Sequence, residues 1–319
     1  MYAMLVDANK NFVWQEVAEP VRGADDVLIE VAAAGLNRAD LLQRSGAYPS
    51  PPGWPEWPGL EASGRVLEAP AGSRWRPGDK VCALLGGGGY AERVSVPAGM
   101  VMPVPAGLDL TAAAGLPEVF ATAYLNLAVE AGMKAGDVVF IQAGASGVGL
   151  AAIQLAKQTG CKVITTVGSP EKAAFVKTIG ADIVVNRKTE DLGAVLEANP
   201  IDIALDCAGG PALGEYISKM AFRGRWVLIA TLAGNRAELP LDTLYKKRIR
   251  IIGSTLRSRT DAEKAAVLQA LEKDCWPKIA AGKIKNVIYR VLPIAEATAA
   301  HAILERNENT GKVILSVKD

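Results

Sequence analysis

Residues Val139 to Gly149, VFIQAGASGVG, carry an apolar β-branched segment straight into a cluster of small residues. A strand that turns through Gly144-Ala145-Ser146-Gly147-Val148-Gly149 into a helix presents main-chain N–H groups and the positive end of the helix dipole to a pyrophosphate. Gly144 is expected to permit the tight turn and Gly149 to let helix and strand pack closely. Ser146 stands where the usual pattern has glycine. Its hydroxyl could bond a phosphate oxygen while holding the backbone slightly farther off. The same residues also suit a purely structural strand-to-helix turn.

The next strand decides between the nicotinamide cofactors. NAD sites carry an acidic residue about 20 residues beyond the glycines, where it bonds the ribose 2′-hydroxyl. Here that region reads Thr165-Thr166-Val167-Gly168-Ser169-Pro170-Glu171-Lys172, with no carboxylate at the strand tip itself. Gly168 and Ser169 leave space and donors, and Lys172 and Arg187 would offer a 2′-phosphate two cations. NADPH is therefore favoured over NADH. Glu171 would weaken the preference if it faced the site, and the alternative is that Lys172 and Arg187 are ordinary solvated charges.

Other chemistries are poorly supplied. The only histidine, His301, lies in the alanine-rich helical pattern EATAAHAILER and reads as a packed or surface helix residue. One histidine cannot build a multi-histidine metal site, and a His-dependent triad has little support. Cys82, Cys161, Cys207 and Cys275 are far apart with no CxxC pair, which argues against a zinc ribbon and against a disulfide framework. Lys+Arg of 35 against Asp+Glu of 34 gives a net charge of +1, so no broad field recommends nucleic acid or an anionic membrane. No apolar run approaches the ~18 residues of a membrane helix. The N-terminus, MYAMLVDANKNF, lacks the basic start and long apolar core of a secretory signal, and a cytoplasmic location is expected.

The elements that must hold these residues follow from texture. At 319 residues, half of them hydrophobic (50%), the chain has room for roughly two domains. Residues 1–100 show short β-rich segments broken by Gly and Pro: VLIEVAAAG, SGRVLEA, DKVCALL and YAERVSVP. Glu118–Glu130 reads as helix. Six apolar strand candidates follow, at 138–142, 162–167, 182–186, 201–207, 225–230 and 248–253, several of them separated by helical patterns. Near-continuous apolar strands alternating with helices predict a doubly wound, six-stranded parallel sheet, an α/β Rossmann unit. The segments VIYRVLP and GKVILSV return to the earlier β texture, so the α/β unit is inserted into a split β-rich domain.

With these motifs in place, the chain resembles the medium-chain dehydrogenase/reductases, in the zinc-free quinone oxidoreductase branch that includes zeta-crystallin-like proteins. The likeness covers essentially the whole length. It rests on Gly35-Leu36-Asn37-Arg38-Ala39-Asp40, Gly59-Leu60-Glu61-Ala62-Ser63-Gly64, Gly88-Gly89-Tyr90-Ala91-Glu92, AAAGLPEVFATAYL over Ala112–Leu125, the GASGVG turn and Gly311-Lys312-Val313. The resemblance implies a GroES-like domain over 1–118 and 256–319 and a dinucleotide-binding domain over 119–255. Zinc enzymes of the superfamily have cysteine and histidine where this chain has Asn37 and Leu60, which are poor substitutes around Zn²⁺. The cysteine-rich structural zinc lobe is also missing from Gly86–Met102.

The same resemblance implies NADPH-dependent reduction of a quinone in a cleft beside the nicotinamide, between the two domains. Asn37, Asp40 and Tyr48 are the matching substrate-side positions: Asn37 to donate to a carbonyl oxygen, Tyr48 to stack or donate its phenol, Asp40 to orient its neighbours. Turn or cap chemistry and a surface aromatic are the plainer readings of these three. GAYPSPPGWPEWPG, with Trp54 and Trp57 among its prolines, forms either a stiff apolar rim for planar substrates or a loop pinned by its tryptophans. Thr122, Cys207, Leu232, Ser254 and Asn309 are further cofactor positions, Cys207 as a cleft wall without a base to activate it. An enone or alkenal reductase is the nearest alternative activity. A low-activity NADPH-binding protein, crystallin-like or RNA-binding through Lys246-Lys247-Arg248 with Arg250, is the alternative of another class. The last strand, RIRIIG, is a sheet edge that could pair with its copy, and a homodimer is expected.

Overall fold

In a computed structural model, which describes residues 1–318, the apolar segments after residue 137 form six parallel strands. They are β1 (Val138–Ile141), β2 (Lys162–Val167), β3 (Ile183–Asn186), β4 (Ile201–Asp206), β5 (Met220–Leu228) and β6 (Arg250–Gly253). Their order, β3-β2-β1-β4-β5-β6, reverses direction between β1 and β4. Both faces of such a sheet are covered, so its strands carry apolar side chains in succession rather than alternately. Phe140, Ile164, Ala204 and Trp226 pack in one cluster, with the Trp226 indole donating to the Asp206 carboxylate at 2.8 Å.

Helices α1 (Gly147–Thr159), α2 (Pro170–Ile179) and α3 (Leu192–Ala198) link these strands. Side-chain oxygens of Ser146, Ser169 and Asp191 cap their N-termini, and Gly160 and Gly180 end α1 and α2 in the left-handed conformation. β5 starts at Met220, five residues before the apolar run that signals it. The extra length pairs with β4 across a register shift, and Arg223 there has φ 62°. β6 starts only at Arg250, because Lys246 and Lys247 complete a helix over Leu241–Lys247 and Arg248 is its left-handed cap. The helix expected over 118–130 begins at Pro117 and widens into a π-helix at Leu125–Glu130. The stretch Leu110–Glu130 has the length and apolarity to cross a membrane, but 67% of its window is buried inside the protein, as in a core helix.

The β-rich part is a seven-stranded sheet built around Asp26–Gly35, which is flanked by Glu61–Glu68, Arg93–Pro97 and the C-terminal strand Lys312–Ser316. Pairing of Ile314 with Gly35 brings Lys312 to the end of the central strand, where Asn37 starts the helix Arg38–Ser45. The chain divides into two compact units, Met1–Ala121 with the chain from Arg257 onward, and Thr122–Leu256.

Candidate active site and cofactor site

In the α/β unit, the glycine-rich turn works differently from the expectation at one residue. The left-handed position is Ala143, with φ 54°, and not Gly144. A Cβ on Gly144 would lie 2.1 Å from Thr165 Oγ1, so this glycine is required by the close approach of β2 rather than by the turn. Gly149 has the packing role expected of it, since a Cβ there would meet the Ala143 carbonyl at 2.4 Å. Ser146 Oγ accepts the Gly149 N–H at 3.0 Å, and Gly147 and Val148 open α1. The carboxyl ends of β1, β4, β5 and β6 share one sheet edge. There the Leu232 N–H reaches Cys207 O at 3.4 Å, Leu232 is exposed, and the buried Ser254 hydroxyl has no partner among the described residues.

At the tips of β2 and β3, the Arg187 guanidinium folds over Gly168, where a Cβ would lie 3.3 Å from Nη1. Lys172 is half-buried, and desolvation first, then the Arg187 and Lys188 charges, pull its ammonium below the usual lysine range. Like charges gathered this way make a ready anion site. Glu171 is turned to Ser169, whose hydroxyl holds its exposed carboxyl below the ordinary value. Thr122, whose carbonyl accepts from Asn126 Nδ2 at 2.7 Å, lies at the start of the same unit.

The β-rich unit brings together a dry ionic cluster. Lys312 Nζ lies 2.6 Å from Glu61 Oε1 and donates to Asn37 Oδ1 at 2.8 Å and to the Leu36 carbonyl. Asn37 Nδ2 donates to Glu61 Oε1 at 3.0 Å, and Glu61 Oε2 accepts the Glu118 N–H at 2.9 Å. Glu61, Lys312 and Asp40 are all buried. Asp40 accepts the Asn37 N–H at 2.7 Å and the Gly59 N–H at 3.0 Å, closing a capping box. Burial pushes the Asp40 carboxyl up to about 6 against the pull of those two donors and of Lys312. Behind it, the buried Tyr90 hydroxyl meets His301 Nε2 at 3.2 Å.

His301 is wholly buried, burial pushes its pKa down to about 3, and its Nδ1 has no partner among the described residues. The ring is therefore neutral at ordinary pH, and the tautomer it adopts sets the direction of its hydrogen bond with Tyr90. Tyr48 is half-buried under Arg257, whose guanidinium carbon lies 4.5 Å from the ring centroid. Burial raises the Tyr48 phenol above its ordinary value. Trp57 Nε1 donates to Gly88 O at 3.0 Å, and a Cβ on Gly86 would lie 2.7 Å from the Trp54 ring, so both tryptophans pin their loop to the Gly86–Gly89 run. Asn309 Nδ2 donates to Gly311 O at 2.7 Å.

Family models named zinc-binding dehydrogenase and alcohol dehydrogenase GroES-like domain match residues 147–273 and 23–106. Quinone oxidoreductase of Homo sapiens is 32% identical over 314 residues, covering 94% of this chain and 92% of its own. A crystal structure of an NAD-dependent alcohol dehydrogenase superposes with TM-score 0.85 at 28% identity, covering 100% of both chains. A mycobacterial protein solved in complex with NADPH gives TM-score 0.85 at 26% identity, covering 99% of both. The chain belongs to the quinone oxidoreductase family of medium-chain dehydrogenase/reductases.

As a member of this family it is an oxidoreductase using a nicotinamide cofactor and a small-molecule substrate. The two solved structures bind or use different nicotinamides, so the choice here rests on this chain's own residues. Among the described residues, no three His, Cys, Asp or Glu side chains gather as a metal site. The structure brings Asn37 and Asp40 into one cluster, and Tyr48 lies under Arg257. It draws the basic run 246–250 apart: Lys246 pairs with Asp242 at 3.3 Å, and Lys247 donates to the carbonyls of Ser218 and Met220 at 2.8 Å. Sequence reasoning assigned no role to Lys188, Arg257, Glu61 or Lys312. Lys188 was readable as the neighbour of Arg187, and the last two sit inside the family motifs already quoted. Arg257 carries no sequence signal, because its partners Gln43, Tyr48 and Gly86 are remote in the chain.

Proposed function

We propose that this oxidoreductase takes NADPH and reduces quinones without a metal ion. The observation that carries the cofactor choice is the Arg187 guanidinium lying over Gly168, with the Lys172 ammonium feeling the charges of Arg187 and Lys188, and the Glu171 carboxylate turned to Ser169. A 2′-phosphate would meet three cations there, and a bare ribose would leave them mutually repelling. NADPH, when bound, supplies the hydride. The turn at Ala143–Gly149 would hold its pyrophosphate, and Cys207, Leu232 and Ser254 lie on the edge of the sheet where the rest of a dinucleotide is held.

On the substrate side, Asn37 Oδ1 and Glu61 Oε1 are already compensated by the Lys312 ammonium. A metal ion placed on these oxygens would meet a buried cation, which is why we assign the chemistry to an acceptor that needs no Lewis acid. Quinones take up hydride readily because reduction makes an aromatic ring. Tyr48 stays a phenol at neutral pH and can donate to the acceptor oxygen. Asn37, with both ends of its amide engaged, acts as a positioning group, and Asp40 fixes the backbone from which it springs.

Steady-state turnover tests the reading. A 1,2- or 1,4-quinone with NADPH should exceed both the same quinone with NADH and a simple alkenal with NADPH in kcat/KM. Faster turnover of the alkenal would make it an enone reductase instead. The exposed edge of β6, with Ile251 38% accessible, supports a homodimer by sheet extension, and sedimentation of a monomer at micromolar concentration would refute it. Its four free thiols suit a reducing, intracellular compartment.

A further inference from the structure

Beyond the switch point, two strands end in loops that continue their ladder. Past β4 and β5, the Ala233 N–H donates to Ala208 O at 2.8 Å, the Leu232 N–H reaches Cys207 O, and Gly209 bridges Gly234 in parallel register. The contact is close: Gly209 stands at φ 61°, and a Cβ on it would lie 2.9 Å from Gly234 O. The last side chain of β4 holds this double loop. Asp206 is wholly buried, and its Oδ1 accepts the Ala208 N–H at 2.7 Å and the Gly209 N–H at 2.9 Å, while Oδ2 accepts the Trp226 indole. Trp226 pairs in the ladder with Ala204, two residues before Asp206, which puts both side chains on one face of the sheet. Ala208 N–H is shared with Gln142 Oε1 at 3.1 Å, just before the glycine-rich turn. A carboxylate suits this place because it only accepts. An amide of the same shape would turn an N–H toward another donor.

We propose that Asp206 is a positioning residue for the nicotinamide end of the cofactor, acting by holding loops 207–210 and 231–234 in ladder register. The inference rests on the cofactor placement read above, with either nicotinamide. A dinucleotide whose adenosine half lies on the cations at β2 and β3, and whose pyrophosphate lies on the turn after β1, carries its other half across the switch point toward β4 and β5. The paired loops stand at the ends of those two strands. Fixing them in advance removes their ordering cost from the binding of that half alone.

The test titrates wild-type protein, Asp206→Asn, Trp226→Phe and the double variant with NADPH and with 2′-phospho-ADP-ribose, which lacks the nicotinamide. Asp206→Asn should weaken NADPH about 10-fold, the cost of one buried donor left unsatisfied, and leave the fragment within about twofold of wild type. Adding Trp226→Phe removes the opposing indole N–H. It should return NADPH to within about threefold of the Trp226→Phe parent. Gly209→Ala, whose new methyl meets only the facing loop at Gly234 and Thr231, should split cofactor from fragment in the same way, and it carries the test if Asp206→Asn does not fold. Equal losses on NADPH and fragment, no loss of NADPH, or a double variant no better than Asp206→Asn would overturn the proposal. NADH and ADP-ribose, run in parallel, keep the two readings separate. Tighter binding of NADH by wild-type protein defeats the NADPH assignment, and the ratio of cofactor to fragment affinity still decides the role of Asp206.

Discussion

The Lys312 ammonium and the Glu61 carboxylate stand 2.6 Å apart, with 4% and 0% of their side chains reached by solvent. Neither could be buried alone. The strand Lys312–Ser316 is thus tied by charge to the strand Glu61–Glu68, as well as by its ladder to the central strand. Lys312→Met is expected to lose about 3–5 kcal/mol of stability, since it strands Glu61 beside Asp40 in a dry interior. Adding Glu61→Gln should recover a large part of the loss. Urea-unfolding midpoints of the two single variants and the double variant check this, and a double variant no better than Lys312→Met would contradict it.

Asp40 and His301 stand on either side of Tyr90 and shift in opposite senses. The Asp40 carboxyl rises from 3.8 to about 6, so its contribution is full below pH 3.8 and is lost as pH rises through 6. His301 falls from 6.5 to about 3, so its contribution is full above pH 6.5 and is lost as pH falls towards 3. Between roughly pH 4 and 6 the slopes cancel, leaving these two groups with little net effect on stability. Each substitution should unmask the other group. His301→Gln leaves stability falling with pH across that window, by about 3 kcal/mol in total, and Asp40→Asn leaves it rising. Thermal unfolding at pH 4.5 and pH 6 reads both signs.

Much of the α/β unit is legible in the sequence because its cues are local. Apolar runs such as KVITTV, serine caps and terminal glycines each act within a few residues, and the strand over 162–167 falls where they put it. β5 begins early because its first residues pair across a bulge that no periodicity announces. The site divides the same way. Asn37 and Asp40 could be found because they stand in the short local motif GLNRAD that carries the family resemblance, whereas the side-chain partners of Asn37 and the cover on Tyr48 come from Glu61, Lys312 and Arg257, which only the fold brings near. The π-helical widening after Tyr124 has no sequence signal we can name.

The cation cluster at the tips of β2 and β3 should discriminate between cofactors. Lys172→Ala, Arg187→Ala and Lys188→Ala are each expected to weaken NADPH binding about 10-fold, the loss of one charge-assisted contact, with NADH affinity within about twofold of wild type. The NADPH preference should also shrink as salt rises, because Arg187 and Lys188 are exposed. Titration of cofactor fluorescence gives both constants. Parental NADPH affinity in all three variants would remove the basis for the NADPH assignment.

The turn before α1 holds its strain at Ala143 and its tight contact at Gly144, and the two positions should respond oppositely to the same pair of residue types. Ala143, at φ 54°, bears the cost of an L-residue in the left-handed region, about 1–2 kcal/mol. Ala143→Gly removes that cost but adds freedom to the unfolded chain worth about 0.4–1 kcal/mol, so a net gain of about 0.5–1 kcal/mol is expected. Gly144→Ala instead drives a methyl to 2.1 Å from Thr165 Oγ1, which already donates to Ile141 O at 2.6 Å. The hydroxyl cannot withdraw without leaving that bond, so β1 and β2 must part. A loss of about 2 kcal/mol or more is expected, together with weaker cofactor binding. Calorimetric Tm values for the two variants would settle which residue makes the turn: if Ala143→Gly lowers Tm and Gly144→Ala is neutral, the assignment of strain and contact is reversed.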